Sequence, residues 1–217
     1  MGEAAWLLPR LLRGFADVEP LGPRDGPPAY VIPGFFASDR TCGELRHALA
    51  HSGWRTYPWD LGLNRGADAD VLRRLRQRLE VIHDGRPVLL VGWSLGGLYA
   101  REIAREVPQM VRAVVTLGSP FSGDPHMNNV WRIYEWVAGH KVDDPPIPHS
   151  AEKPPVPTLA IWSKRDGIIA RRAARGLAGE RDKEVEIGCS HMAFGVSRRA
   201  AERVAREIRK FLGEIGG

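Results

Sequence analysis

Short apolar runs and longer amphipathic stretches alternate along this chain. Runs of strand length stand at 29–33, 54–59, 87–93, 111–117, 158–163 and around 185–187. Between them lie stretches with a helical period. Cys42, Leu45 and Leu49 form one such face, with Ser38 or Asp39 as the expected cap and Gly53 as the stop. Val71, Leu72, Leu75, Leu79 and Ile82 form a second, and 98–104 has helical composition and spacing. A short helix is expected over 171–178, and a closing helix carries Val196, Val204, Ile208 and Phe211 inward. Ahead of them all, 5–16 reads as an amphipathic helix with Leu8, Leu11, Leu12 and Phe15 on one side. Strands that alternate with helices predict an α/β fold, a mostly parallel central sheet with helices on both faces.

The rhythm breaks between Phe121 and Pro157. A helix is expected over 129–138, capped by Asn128, with Val130, Ile133, Tyr134 and Val137 as its apolar stripe. Trp131 and Trp136 fall off that stripe, and six prolines follow from Pro145 to Pro157. A long excursion at the carboxyl end of a strand is more often functional than idle. The expectation is one domain over 1–217, with 121–157 as a small cap over the site.

One junction carries chemistry. The run Pro87-Val-Leu-Leu-Val-Gly92-Trp93-Ser94-Leu95-Gly96-Gly97 leads a buried strand through Gly-x-Ser-x-Gly into a helix, the context of a nucleophile elbow. Gly92 and Gly96 lack a Cβ, so strand and helix can pass close by. A serine hydroxyl needs a base within reach, and the base needs a carboxylate to hold its tautomer. In such sheets the order along the chain is Ser, then Asp or Glu, then His, each at a strand end. Asp166, after the run 158–163, and His191, after the last strand, meet that order. His47, His51 and His83 lie on helices before the elbow, and His126, His140 and His149 in the excursion. Asp124, Asp143 and Asp144 follow no clear strand. The tetrahedral intermediate needs backbone donors, expected from Leu95 and from the loop Gly34-Phe35-Phe36, with Phe35 preferred. Phe36, Trp93, Trp131 and Trp136 are the expected walls of a substrate pocket.

Composition narrows this picture without changing it. The 217 residues suffice for one full core, and a net charge of +5 spreads over arginines set beside acids on helices. No nucleic-acid motif accompanies them, so no nucleic-acid partner is expected. Cys42 and Cys189 show no metal-ligand spacing, and two reduced thiols are the default. The first ten residues lack the pattern of a signal peptide, and no apolar run is long enough to span a bilayer. The chain is therefore expected to be cytoplasmic, without stable membrane insertion.

Five segments together resemble a family: Val31 to Asp39, Val91 to Gly97, Thr116 to Phe121, Ser163 to Ile168 and Cys189 to His191. They resemble the α/β-hydrolase superfamily, and most of all its bacterial esterase and lipase-like members, over about 29–212. The resemblance implies the α/β-hydrolase fold in a compact version, a serine hydrolase with Ser94, Asp166 and His191 as triad, and no metal or organic cofactor. It also implies a small-molecule ester as substrate. Pro33-Gly34 replaces the His-Gly often found at the oxyanion loop, and the first two strands of the full fold are missing, which leaves 5–16 to cover an edge. The activity expected is hydrolysis of short to medium acyl esters through an acyl-enzyme. An acyltransferase on the same triad and a non-catalytic binding module on the same fold are the alternatives.

Overall fold

The structure, a computed structural model, describes residues 19–68, 70–123 and 150–216. Its centre is a six-stranded sheet: β1 (Pro28–Ile32), β2 (Arg55–Tyr57), β3 (Val88–Trp93), β4 (Val111–Leu117), β5 (Thr158–Trp162) and β6 (Lys183–Glu186). The spatial order is β2-β1-β3-β4-β5-β6, and every neighbouring pair is parallel. The helices are α1 (Gly43–His51), α2 (Val71–Ile82), α3 (Leu95–Glu106), α4 (Arg171–Arg175), α5 (Ala193–Val196) and α6 (Arg198–Ile215).

Strand residues alternate between two cores. Ala29, Val31, Leu89, Val91, Ala113, Val115, Leu159 and Ile161 meet Leu45 and Leu49 of α1 and Val204, Ile208 and Phe211 of α6. Tyr30, Ile32, Leu90 and Val114 meet Leu75 and Leu79 of α2 and Tyr99 and Ile103 of α3. With helices on both faces, the strands β1, β3 and β5 are buried throughout, which is why they read as continuous apolar runs. From β1 the chain runs outward to β2 and then crosses back to β3 on the other side. That reversal opens a crevice at the carboxyl ends of β1 and β3, the place where such sheets hold ligands.

The local differences from expectation have physical reasons. Neither Ser38 nor Asp39 caps α1, which begins at Gly43 after Cys42 without a side-chain cap bond. The Asp39 carboxylate instead accepts from the backbone N–H groups of Trp59 (2.6 Å) and Asp60 (3.0 Å). Burial raises its pKa above the ordinary value. Helix α4 ends at Arg175, short of Ala178, because Gly176 takes φ 69° and lies against the Phe121 ring. The closing helix begins at Arg198, with Ser197 as its cap accepting from the Ala200 N–H; Val196 belongs to α5. Among the described residues, the free edge of β2 is met by Leu21, which exchanges two backbone bonds with Thr56 (3.0 and 2.8 Å). The helix expected over 5–16 and the cap helix over 129–138 lie outside the described residues.

Helix α3 also anchors the backbone at Ala151 and Glu152. Arg101 is 1% exposed and donates to the carbonyls of Ala151 (2.7 Å), Glu152 (2.8 Å) and Glu180 (3.0 Å). Its guanidinium lies 4.3 Å from the centre of the Phe121 ring. Burial lowers its pKa to about 10, so it remains charged at neutral pH.

Candidate active site

Ser94 stands between the last residue of β3 and the first of α3, with φ 54° and ψ −120°. A non-glycine residue with positive φ persists only where its surroundings over-determine it. Here the strand before it and the helix after it both do. The Ser94 N–H continues the sheet by donating to the Leu117 carbonyl at 2.9 Å, and the Ser94 carbonyl accepts from Gly97 at 3.0 Å. The two glycines act as their composition suggests. A Cβ on Gly92 would lie 2.3 Å from the Gly96 carbonyl oxygen, and one on Gly96 would lie 2.3 Å from that of Ile32.

Asp166 follows β5 and His191 follows β6, so both come from carboxyl strand ends. Their side chains meet: His191 Nδ1 lies 2.7 Å from Asp166 Oδ2. The two side chains are 4% and 1% exposed, respectively. The other carboxylate oxygen, Oδ1, accepts from the N–H groups of Ile168 (2.9 Å) and Ile169 (2.8 Å), which fixes the plane of the group. Against this pair lies Gly118, after β4, where a Cβ would come 2.9 Å from Asp166 Oδ2 and 3.2 Å from His191 Nδ1. The indole of Trp93, the residue before Ser94, donates to the His191 carbonyl at 3.2 Å. The elbow and the imidazole loop are thereby tied together. Such an arrangement can hold an imidazole in one tautomer, with Nδ1–H toward the carboxylate and Nε2 left to exchange a proton.

The comparisons with known proteins bear on the fold that carries this site. The family described as "alpha/beta hydrolase fold" matches residues 38–140. The chain has the α/β-hydrolase fold. Among solved structures it is similar to an α/β hydrolase enzyme from the metagenome of sediments from the lagoon of Mar Chica, Morocco. The two share 18% identity over 91% of this chain and 94% of that one, with a TM-score of 0.65. It is similar to the monoacylglycerol lipase of Paleococcus ferrophilus at 18% identity, over 90% and 98% of the two chains, with a TM-score of 0.63. A thioesterase domain from the curacin biosynthetic pathway is similar at 14% identity, over 88% and 93%, with a TM-score of 0.64. At these identities the likeness is one of fold. A search of curated proteins found no match.

Within this hydrolase fold, the remaining expected residues are distributed as follows. Leu95 opens α3, so its N–H is one of the donors that a helix start leaves without an intrahelical acceptor. Phe35 and Phe36 lie edge to face in the loop after β1, with ring centres 4.9 Å apart. The loop lies close to the elbow, since a Cβ on Gly34 would stand 3.1 Å from Ser94 Cβ. The Trp93 side chain is in the core, 1% exposed and packed on Gly195. Trp131 and Trp136 lie outside the described residues, as do His126, His140, His149, Asp124, Asp143 and Asp144. Among the described residues, no cluster of three or more His, Cys, Asp or Glu side chains is placed to hold a metal ion. None of the described helices is long and apolar enough to cross a membrane.

Two residues that the sequence pattern did not single out bind these loops together. Asn64 contacts the loop after β1, and Ser163 joins the loops of Asp166 and His191. Asn64 stands in no recognisable motif, and Ser163 opens the segment 163–168 without being marked out within it. The only sequence signal is a polar residue beside glycines, in Gly62-Leu-Asn-Arg-Gly66, and a serine closing a strand.

Proposed function

We propose that the chain is a serine hydrolase that cleaves carboxylic esters through an acyl-enzyme. The observation that carries this reading is the buried contact of His191 with Asp166, beside an elbow that holds Ser94 at positive φ. The solved structures that resemble it include a monoacylglycerol lipase and a thioesterase domain, and these support the same class.

In this reading Ser94 Oγ attacks the ester carbonyl as His191 Nε2 takes the hydroxyl proton. Asp166 holds Nδ1–H and stabilises the imidazolium that forms. The backbone N–H groups of Leu95 and Phe35 hold the oxyanion. Collapse expels the alcohol, which leaves with the proton from Nε2, and the acyl group remains on Ser94. Water then attacks this second ester, His191 takes its proton, and the carboxylic acid departs as Ser94 recovers its hydrogen. The preference for short to medium acyl chains, with Trp131 and Trp136 as pocket walls, is proposed from the sequence of 121–157 alone.

The test uses p-nitrophenyl esters of increasing chain length and a fluorophosphonate probe. The parent chain should cleave the shorter esters and take the probe at Ser94. Ser94→Ala should lose on the order of 10⁵-fold or more in kcat, because the members of such a triad act as a unit. A folded Ser94→Ala variant that keeps most of the activity, or still takes the probe, sinks the assignment.

A further inference from the structure

We infer that Asn64 is a positioning residue for the oxyanion loop, gripping residues 33–37 so that a backbone donor is aimed at the Ser94 site. The inference rests on the acyl-transfer reading above and adds to it a residue that never touches the substrate.

Asn64 is 1% exposed and meets the loop at three points. Its side-chain Nδ2 donates to the Pro33 carbonyl at 2.9 Å. Its backbone N–H donates to the Ala37 carbonyl at 2.9 Å, and its carbonyl accepts from the Phe36 N–H at 2.7 Å. The partners dictate the orientation of the amide. The Pro33 carbonyl can only accept, whereas the Gly66 N–H, 3.2 Å from Oδ1, can only donate. The Tyr99 hydroxyl of α3 approaches the same Oδ1 at 3.5 Å.

The grip matters because the loop is strained. Phe36 has φ 56°, a left-handed conformation that a bulky side chain disfavours. Strain of this kind clusters where geometry serves chemistry and persists only under outside restraint. The restraint here comes from Asn64, together with the turn bond from the Ala37 N–H to the Gly34 carbonyl at 3.1 Å. The loop lies against the elbow at Gly34, so a change in its shape is a change in the donors beside Ser94. The Phe36 N–H is itself held by the Asn64 carbonyl. A helix-side neighbour, Tyr99, links Asn64 to the same α3 that begins at the elbow.

Asn64→Asp keeps the shape of the side chain but faces the Pro33 carbonyl with an oxygen. Asn64→Ala removes the side-chain bonds to Pro33, Gly66 and Tyr99, buries no charge and leaves the two backbone bonds. Each variant is compared with the parent on p-nitrophenyl acetate and on an aryl trifluoromethyl ketone, whose adduct with a serine carries an oxyanion. The expected result is a fall in kcat of roughly 10²-fold, the scale of a small misplacement near the reacting atoms. KM should change little, and affinity for the ketone should weaken by about the same factor as kcat/KM, the mark of an interaction made only in the transition state. A folded variant with parental kcat and parental ketone affinity overturns the role of Asn64. So does loss of folding in both variants, since the residue would then serve the fold alone. A parent that neither cleaves esters nor takes a fluorophosphonate at Ser94 overturns the acyl-transfer reading instead, and the inference with it.

Discussion

Ser163 grips Cys189 twice: its hydroxyl donates to the Cys189 carbonyl at 2.6 Å and accepts from the Cys189 N–H at 3.2 Å. A third bond comes from the Arg165 N–H at 3.0 Å. One donor and two acceptor sites are all that a hydroxyl has, and here all are used. Ser163 opens the turn that leads to Asp166, and Cys189 lies two residues before His191. A single buried oxygen therefore sets the spacing between the carboxylate loop and the imidazole loop.

Replacing Ser163 by alanine leaves the partners of that oxygen unmatched in a buried place. The expected cost is about 1–3 kcal/mol of stability, read as a lower urea midpoint with an unchanged slope. Ester turnover should fall in kcat more than in KM, because the two loops lose their common tie. A parental midpoint together with parental kcat would show that the tie does nothing.

Two glycine-to-alanine changes should have opposite signs. At Gly96 the new Cβ would lie 2.3 Å from the Ile32 carbonyl oxygen and 2.7 Å from that of Pro33, both backbone atoms with no room to yield. Gly96→Ala should cost about 3 kcal/mol or more, or prevent folding. At Gly213, inside α6, nothing lies within 4 Å of the added carbon. Gly213→Ala should stabilise by about 1 kcal/mol through helix propensity. Thermal unfolding of the two purified variants checks both signs.

A pH window follows from Asp84. Its carboxylate bonds Arg86 and the Arg55 guanidinium of β2, each at 2.6 Å from Oδ2. The hydrogen bond from Arg86, first among the causes, holds its pKa at about 2, below the usual 3.8. The folded state thus favours the carboxylate, and between these values the unfolded chain binds more protons. Stability from this group is present above about pH 4 and is lost as the pH falls to about 2. The site is partly exposed, so the contribution should be of order 1 kcal/mol or less and should shrink in salt. Urea midpoints of Asp84→Asn and the parent should differ near pH 6 and converge near pH 2. A difference that survives unchanged at pH 2 would mean that packing, and not charge, is responsible.

The elements were legible in the sequence because their causes are local. The apolar stripe of α2, from Val71 to Ile82, repeats at the helical period and needs no partner to be seen. The continuous apolar run of β3 marks a strand covered on both faces, and the run of α/β alternation implies parallel pairing. The elbow was legible for the same reason. Glycines on either side of Ser94 permit a close turn whose geometry lies within a few residues. Where local signals competed with distant ones, they lost. Asp39 looked like a cap for α1, yet two N–H groups some twenty residues away claim its carboxylate. Helix α4 looked three residues longer, until Gly176 met the ring of Phe121.

What the sequence by itself determined is therefore the six strands, the helices α1, α2, α3 and α6, the elbow, and the order in which Ser94, Asp166 and His191 follow their strands. Tertiary structure alone decided which loops meet. The strand order β2-β1-β3-β4-β5-β6 follows from crossover connections that no local pattern encodes. The contact of Asp166 with His191 spans 25 residues, that of Ser163 with Cys189 spans 26, and that of Asn64 with Pro33 spans 31. A hydrogen bond of this kind depends on two directions and one short distance. Those are set by the packing of whole helices on the sheet, and an isolated Asn or Ser in a loop carries no trace of them.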